Sequence, residues 1–366
     1  MAQMNFHIKL LKHCNLQCDY CYEQEYFKAS HALSISEIEH VLHGIKDYGQ
    51  KKKINQVNLR YSGGEILTLG DQYLSTLFHI SYKIFKNSSI KVRLGIQTNL
   101  TLMNEKYIDL LKKYKVSLGV SYDVYGGHRR YRNGQPEDQV ILKKIEQVHK
   151  HGIRFGAIAV ITKNNYKKGT KIYDFFERIP ANFHILKLHP WSGKYCPEIM
   201  IDEEEYVKML KAIAENHLER KGPSISFANI DSYVNILRNG MGQMEVCALS
   251  KNCLGSNFFI ENNGDFYPCC LLRYKEFIMG NVLNDSIEII LASPVLKLLG
   301  RRYEFIKKEC RGCKYLKICS GGCMANAYEE GNVLGYSKSW CLINREMFKY
   351  LGRKLKEKGE PIVIQI

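Results

Sequence analysis

Long apolar runs are missing from this chain: no stretch approaches the roughly 18 consecutive apolar residues of a membrane-spanning helix. The opening segment, MAQMNFHIKLLKHCN, has only a short apolar stretch and no small-residue cleavage site, which argues against a secretory signal. Both absences predict a cytoplasmic protein without a membrane partner. Acidic residues are also short, 37 Asp plus Glu against 53 Lys plus Arg, for a net charge of +16. A positive field of that size attracts anionic partners at long range. The strongest basic run, Lys51 to Lys53, falls at a predicted helix end without interleaved aromatics, so nucleic acid is not the expected partner. A dispersed solubility surplus, an acidic peptide or an acidic electron carrier suits the charge equally.

Cysteine, by contrast, is abundant: 13 in 366 residues. In a reducing compartment that number is of little use as disulfides and points to metal ligation. A hydrophobic content of 45% is enough for one large or two ordinary domains.

The first half alternates short strands with amphipathic helices. Strand-like runs occupy 5–11, 56–61, 89–96, 116–121, 154–160 and 183–189, and helical periodicity occupies 36–48, 104–114 and 138–150. Ser34 and Glu37 have capping-box spacing at the first helix. Six strands interleaved with helices predict a parallel sheet, doubly wound or curled into a partial barrel, with chemistry at the carboxyl ends of the strands. After about residue 195 the rhythm breaks. A charged helix at 202–221 leads to a region, 245–345, rich in Cys, Gly and turn residues; a hairpin is predicted at NFFIENNGDFYP and a closing helix at 341–358. A segment so rich in loops needs something besides an apolar core to hold it, and bound metal would serve.

The segment HCNLQCDYCYE places Cys14, Cys18 and Cys21 as C-x3-C-x2-C directly after the first strand. Three thiolates can hold three irons of a four-iron cube and leave the fourth open to a substrate or cofactor, whereas structural zinc wants a closed tetrahedron of four. With SGGE (62–65), QTN (97–99) and SYD (121–123) at the ends of the next three strands, the chain resembles the radical S-adenosylmethionine (SAM) enzymes. The resemblance implies a SAM site built from Tyr20 near adenine and from Gly63, Gly64 and Glu65 beside the methionine amino group. Thr98, Asn99 and Asp123 belong to the same ordered set. Ser121 and Arg132 would contact ribose and carboxylate. Elementary chemistry agrees, since a Gly-Gly turn with a carboxylate can bind an ammonium and an arginine fork matches a carboxylate. Val124 stands where that family usually has glycine.

Further on, Cys253, Gly264 and Cys269 read C-x10-G-x4-C, followed by Cys310, Cys313, Cys319 and Cys323 as C-x2-C-x5-C-x3-C and then by Cys341. This resembles a SPASM domain, the extension found in peptide-modifying radical SAM enzymes; zinc is the alternative for the second pattern taken alone. Cys247 provides an eighth thiol. By resemblance to sulfatase maturases, Cys247, Cys253, Cys269 and Cys323 would hold one auxiliary cluster and Cys310, Cys313, Cys319 and Cys341 another, with a partly ligated first cluster as the rival arrangement. Only Cys196 and Cys270 are left over.

Cys270 follows Cys269 directly. In anaerobic sulfatase-maturating enzymes that position is an aspartate, read as the base acting on the substrate, and a thiol is a different tool. It could return a hydrogen atom to a carbon radical, ligate a cluster in place of a neighbour, or merely pack. Cys270 is therefore the candidate catalytic residue.

The expectation is an α/β protein: a partial (β/α)6 TIM-type barrel (1–200), a bridging helical region (201–244), a SPASM domain (245–345) and a C-terminal helix and tail (346–366). Three 4Fe-4S clusters and SAM are the expected cofactors. The expected reaction is radical hydrogen abstraction from a ribosomally made peptide, giving an oxidised or crosslinked residue. Peptide epimerisation through Cys270 is the first alternative and sulfatase maturation the next; a non-enzymatic iron-sulfur or zinc protein is the alternative outside the enzyme class. Expected partners are a precursor peptide or protein substrate and a flavodoxin- or ferredoxin-type donor. No segment of roughly 80 residues precedes the barrel to bind a leader peptide, so a precursor peptide is expected to be recognised by the barrel and SPASM surfaces or by a separate leader-peptide-binding protein.

Overall fold

The computed structural model describes residues 3–23, 31–189, 196–220, 225–242, 244–250, 253–255 and 257–364. In chain order the strands are β1 (Gln3–Lys9), β2 (Gln56–Ser62), β3 (Lys91–Thr98), β4 (Ser117–Ser121), β5 (Phe155–Ile161), β6 (Asn182–Lys187), β7 (Asn257–Ile260), β8 (Asp265–Tyr267) and β9 (Gly280–Asn281). The barrel-type helices are α1 (Ile35–Lys51), α2 (Asp71–Phe85), α3 (Glu105–Lys113), α4 (Asp138–Lys150), α5 (Gly169–Arg178), α6 (Glu203–Glu219) and α7 (Ala228–Asn239). Short helices α8 (Ile287–Leu291), α9 (Pro294–Gly300), α10 (Arg302–Glu309) and α11 (Met324–Glu329) precede the long closing helix α12 (Lys338–Glu357). The strand-helix alternation anticipated from periodicity is present through β6 and α6. Residue 221, the expected last residue of α6, and residues 191–195 before Cys196 lie outside the described residues.

The chain forms two compact units. The first comprises Met1–Ser121, Arg129–Phe155 and Leu254–Leu298. Its strands run in the order β4-β3-β2-β1-β7-β8-β9, parallel from β4 through β7 and antiparallel from β7 to β9. Strand alternation explains its core: Phe6, Ile8, Val57, Leu59, Tyr61, Leu94 and Ile96 are buried on one face, as are Ile38, Val41 and Leu42 of α1 and Leu74, Leu77 and Phe78 of α2. A fully buried aliphatic or aromatic side chain contributes on the order of 1.5–3 kcal/mol, so this layer fixes the sheet. The expected capping box is formed, with Ser34 accepting from the Glu37 N–H and Glu37 accepting from the Ser34 N–H. The hairpin also forms, from β7 and β8.

The second unit comprises Tyr122–His128, Gly156–Cys253 and Leu299–Ile366. Within it β5 and β6 pair in parallel. Its core is aromatic: Phe176, Phe183 and Phe227 stack in sequence with ring centroids 4.6 and 4.5 Å apart. Tyr233 and Tyr315 lie against Phe348 of α12 at 5.1 and 5.7 Å.

Candidate metal centres and SAM site

The first cysteine loop leaves the carboxyl end of β1 and is pinned by main-chain bonds on two sides. From β2, Leu10 N–H reaches Ser62 O at 2.8 Å, while Gly64 N–H and Glu65 N–H donate to Leu11 O and His13 O at 3.0 and 2.8 Å. From the segment before α4, Arg130 O accepts from Gln17 N–H at 2.7 Å, and Arg132 Nη2 donates to Cys14 O at 3.0 Å. Gly63 and Gly64 are required by this close approach: a Cβ on Gly64 would sit 2.2 Å from His13 O, and one on Gly63 2.4 Å from Leu11 Cδ2 and 2.7 Å from its carbonyl oxygen. Besides facing the SAM ammonium, as the resemblance implies, these glycines seat the cysteine loop. Gly64→Ala is expected to cost about 1–3 kcal/mol through overpacking and to lower the iron content of the protein. Gly156→Ala, where a Cβ meets open space, is the neutral control, and anaerobic iron assay with thermal melting checks both.

Cys14 and Cys18 are buried and Cys21 is half-buried. The Cys14 sulfur faces Leu16 N–H at 3.3 Å and Asn99 Nδ2 at 3.8 Å, and Cys21 accepts from Glu23 N–H. Burial pushes Cys14 up to about 12 and raises Cys21 as well, so any metal bound here would have to displace their protons. Three thiols in one loop, with N–H donors to Cys14 and Cys21, fit a cluster with one open iron.

Around this loop the structure brings together most of the residues expected at a SAM site. Glu65 is fully buried, and its carboxylate accepts from Leu67 N–H at 2.9 Å, Thr98 Oγ1 at 2.7 Å and Asn99 N–H at 2.7 Å. Burial raises its pKa while these three bonds favour the ionised form. Its shown contacts thus lock the ends of β2 and β3 together. Leu100, next along, holds φ at 66°, a left-handed conformation costing a β-carbon residue roughly 1–2 kcal/mol. Asn99 donates to Asn15 at 3.0 Å and accepts from Thr101. Ser121 accepts from Gln97 at 2.8 Å. Tyr20 is buried with its hydroxyl 3.2 Å from Arg129 Nη1. Asp123, in the second unit, binds Val160 N–H at 2.7 Å, which anchors the 122–128 turn to β5.

Arg129 was not anticipated. It forms a buried ion pair with Glu137 at 2.6 Å and is a charge felt by Cys14, Cys21 and Glu65. The spacing within HRRYR could not separate it from Arg132, because both are resolved only when the 129–137 turn is folded.

In the second unit Cys310, Cys313, Cys319 and Cys341 line one small cavity, with Tyr315, Tyr336 and Asn344. Asn344 Nδ2 lies 3.5 Å from the Cys319 sulfur. Among the described residues no three His, Cys, Asp or Glu side chains meet at a point suited to a single ion. Four thiols lining one cavity are the donor set that a four-iron cluster takes. The loop between Cys319 and Cys323 holds Gly321 and Gly322 at φ 81° and 74°, and buried Arg302 donates to the carbonyls of Ser320, Gly321, Gly322 and Gly335 at 3.0–3.4 Å. Arg302 is a second residue that motif spacing did not reveal.

Cys247, Cys253 and Cys323 also belong to the second unit, exposed, half-buried and buried respectively. Cys269 lies in the first unit, just past β8, where Leu271 N–H faces its sulfur at 3.4 Å. Exposed Cys270 hydrogen-bonds to Cys269, the largest of the influences that lower Cys269 to about 7. Cys196 is buried.

A fold with strand-end loops carrying an open three-thiol site, followed by further cysteine sites, defines an iron-sulfur radical enzyme. The chain carries a radical SAM superfamily domain, matched over residues 8–176, and an iron-sulfur cluster-binding SPASM domain, matched over residues 247–314. It is an enzyme of radical oxidative modification. The Clostridium perfringens (strain 13 / Type A) cysteine-type anaerobic sulfatase-maturating enzyme is 24% identical over 364 residues, 92% of this chain and 93% of that protein. The serine-type enzyme of Bacteroides thetaiotaomicron is 24% identical over 343 residues, 86% and 81% of the two chains. Among solved structures, native anSMEcpe with bound AdoMet and Cp18Cys peptide has a TM-score of 0.83 at 22% identity, covering 97% and 98%. Streptococcus suis SuiB bound to precursor peptide SuiA has a TM-score of 0.68 at 19% identity, covering 93% and 76%. These likenesses establish the fold: a partial TIM-type barrel with a SPASM domain. The radical SAM and SPASM matches give it iron-sulfur clusters and SAM as cofactors. No described helix is long and apolar enough to cross a membrane.

Proposed function

We propose that this enzyme oxidises a peptide or protein substrate by two electrons, leaving a crosslink or similarly oxidised residue. When bound, the cluster of Cys14, Cys18 and Cys21 supplies the electron that cleaves SAM and so the 5′-deoxyadenosyl radical that removes a substrate hydrogen. The observation that carries the oxidative reading is the shared cavity of Cys310, Cys313, Cys319 and Cys341. A cluster held by four thiolates has no open iron for a substrate, so its use is electron transfer, which an oxidation needs and a redox-neutral reaction does not. Cys247, Cys253, Cys269 and Cys323 would hold the first auxiliary cluster, making three clusters in all. Ser121 and Arg132 would bind the ribose and carboxylate of SAM, Gly63, Gly64 and Glu65 its amino end, and Tyr20 its adenine. A net charge of +16 suits a flavodoxin- or ferredoxin-type donor, since both are acidic carriers.

A second reading, peptide epimerisation, is favoured by one observation: Cys270 is an exposed thiol beside a ligand position. Sulfatase maturation, the activity of the curated relatives, is the third; their similarity along the chain supports it, and Cys270 in the slot of the expected aspartate weighs against it. A candidate peptide encoded beside the gene, turned over anaerobically in deuterated water with SAM and a reductant, separates the first two. A loss of two mass units is the expected result. A gain of one unit, abolished by Cys270→Ser with iron retained, overturns oxidation in favour of epimerisation.

A further inference from the structure

Four charged side chains outside the proposed SAM site meet in the interior of the first unit. Lys9 is 2% exposed, Glu23 5% and Glu261 8%, and the Arg273 side chain is equally enclosed. Lys9 Nζ binds Glu23 Oε1 and lies 3.0 Å from Glu261 Oε1. Arg273 Nη1 lies 3.2 Å from Glu23 Oε1 and 2.6 Å from Glu261 Oε1. The Arg273 guanidinium also stacks on Tyr22 at 4.3 Å and on Phe259 at 5.0 Å. Two cations and two carboxylates leave the group formally neutral. Desolvating them costs several kcal/mol per ion, and apolar residues of similar volume often stabilise a core as well or better. Stability alone therefore does not account for the group.

Its members join two rigid strands to two cysteine loops. Lys9 ends β1 and Glu261 follows β7, and β1 and β7 are paired in parallel. Glu23 stands two residues past Cys21 and donates its own N–H to the Cys21 sulfur. Arg273 directly follows Leu271 and Leu272, whose N–H groups donate to the Cys269 sulfur. Each loop thus ends its set of N–H···S donors at a side chain fixed in the same ion group. Such donors stabilise the reduced, more negative state of a cluster and raise its potential.

We propose that Lys9, Glu23, Glu261 and Arg273 form one positioning device for two iron-sulfur sites, fixing the N–H···S donors to Cys21 and Cys269 so that the SAM-binding and first auxiliary clusters have their reduction potentials set together. The inference rests on the proposal above that Cys21 and Cys269 are cluster ligands.

Lys9→Met and Glu261→Gln test it, because neither residue is a ligand or adjoins one. Direct charge effects have opposite signs: losing Lys9 leaves the group at −1 and lowers potentials, and losing the Glu261 charge leaves it at +1 and raises them. Loosened N–H···S donors lower them in both cases. In the reconstituted holoenzyme, potentiometric titration followed by EPR is expected to show both potentials shifted downward in both variants and in the charge-neutral double variant. Shifts of opposite sign overturn the positioning role in favour of charge alone. Unmoved potentials with a lower Tm overturn it in favour of packing. Where a variant does not fold, Lys9→Arg and Glu261→Asp keep the charges, disturb the geometry and are held to the same downward shift. Iron content and EPR of the unaltered protein and of Cys269→Ala test the ligand assignment separately, so its failure is not mistaken for failure of the positioning role.

Discussion

Replacing Cys14, Cys18 and Cys21 together by alanine is expected to reduce 5′-deoxyadenosine formation from SAM to background while leaving the auxiliary iron in place. The first half follows from the role of these thiols as the proposed ligands of the open iron. The second follows from how the two sites are built. The cavity of Cys310, Cys313, Cys319 and Cys341 lies within the second unit and is framed by that unit's own side chains. The N-terminal loop is itself held by main-chain bonds to Ser62, Gly64, Glu65 and Arg130, none of which uses a sulfur, so the fold survives the substitution at about 1 kcal/mol per buried site. Chromatography of the nucleoside product and anaerobic iron assay check the two halves. Persistent SAM cleavage would remove the assignment of these cysteines as the reductive site; loss of all iron would show that the sites assemble together.

Much of the fold was legible because its elements announce themselves locally. The alternation NFHIK and QVNLRY marks strands buried on one face, and Ser34 with Glu37 marks a helix start; both signals lie within a few residues. The cysteine spacings were legible for the same reason. What stayed hidden depends on partners far apart in sequence. Lys9 reads as an ordinary charge at a strand end until Glu261 is placed beside it, 252 positions away. Glu65 reads as a ligand for an ammonium, and its bonds to Thr98 and Asn99 exist only through the pairing of β2 with β3. The glycines of SGGE show the same limit. Their sequence signals an exposed turn, whereas their closeness to Leu11 and His13 comes from β1 and β2 running in parallel.

Arg302→Met is expected to release the auxiliary iron and spare the N-terminal cluster. The guanidinium makes five bonds to four main-chain carbonyls, Ser320, Gly321, Gly322 and Gly335, and three of those residues lie between Cys319 and Cys323. Each buried carbonyl left without a donor costs about 1–3 kcal/mol, and Gly321 and Gly322 give this loop the backbone freedom to move, so the loop is expected to relax once the arginine is gone. Relaxation would carry Cys319 and Cys323 with it, and under the proposed assignment they serve different auxiliary clusters. The buried cation also lies in the field of Cys253, Cys319 and Cys323, where it offsets the negative charge of thiolates. Arg302→Lys separates these contributions. It keeps the charge and loses the planar fork, and because four carbonyls converge on that fork, lysine is expected to rescue only a minor part of the iron. Thermal melting and iron assay under anaerobic conditions give the result. Full auxiliary iron in Arg302→Met would show that the cysteine loop holds its shape without the arginine, and full rescue by lysine would assign the effect to charge.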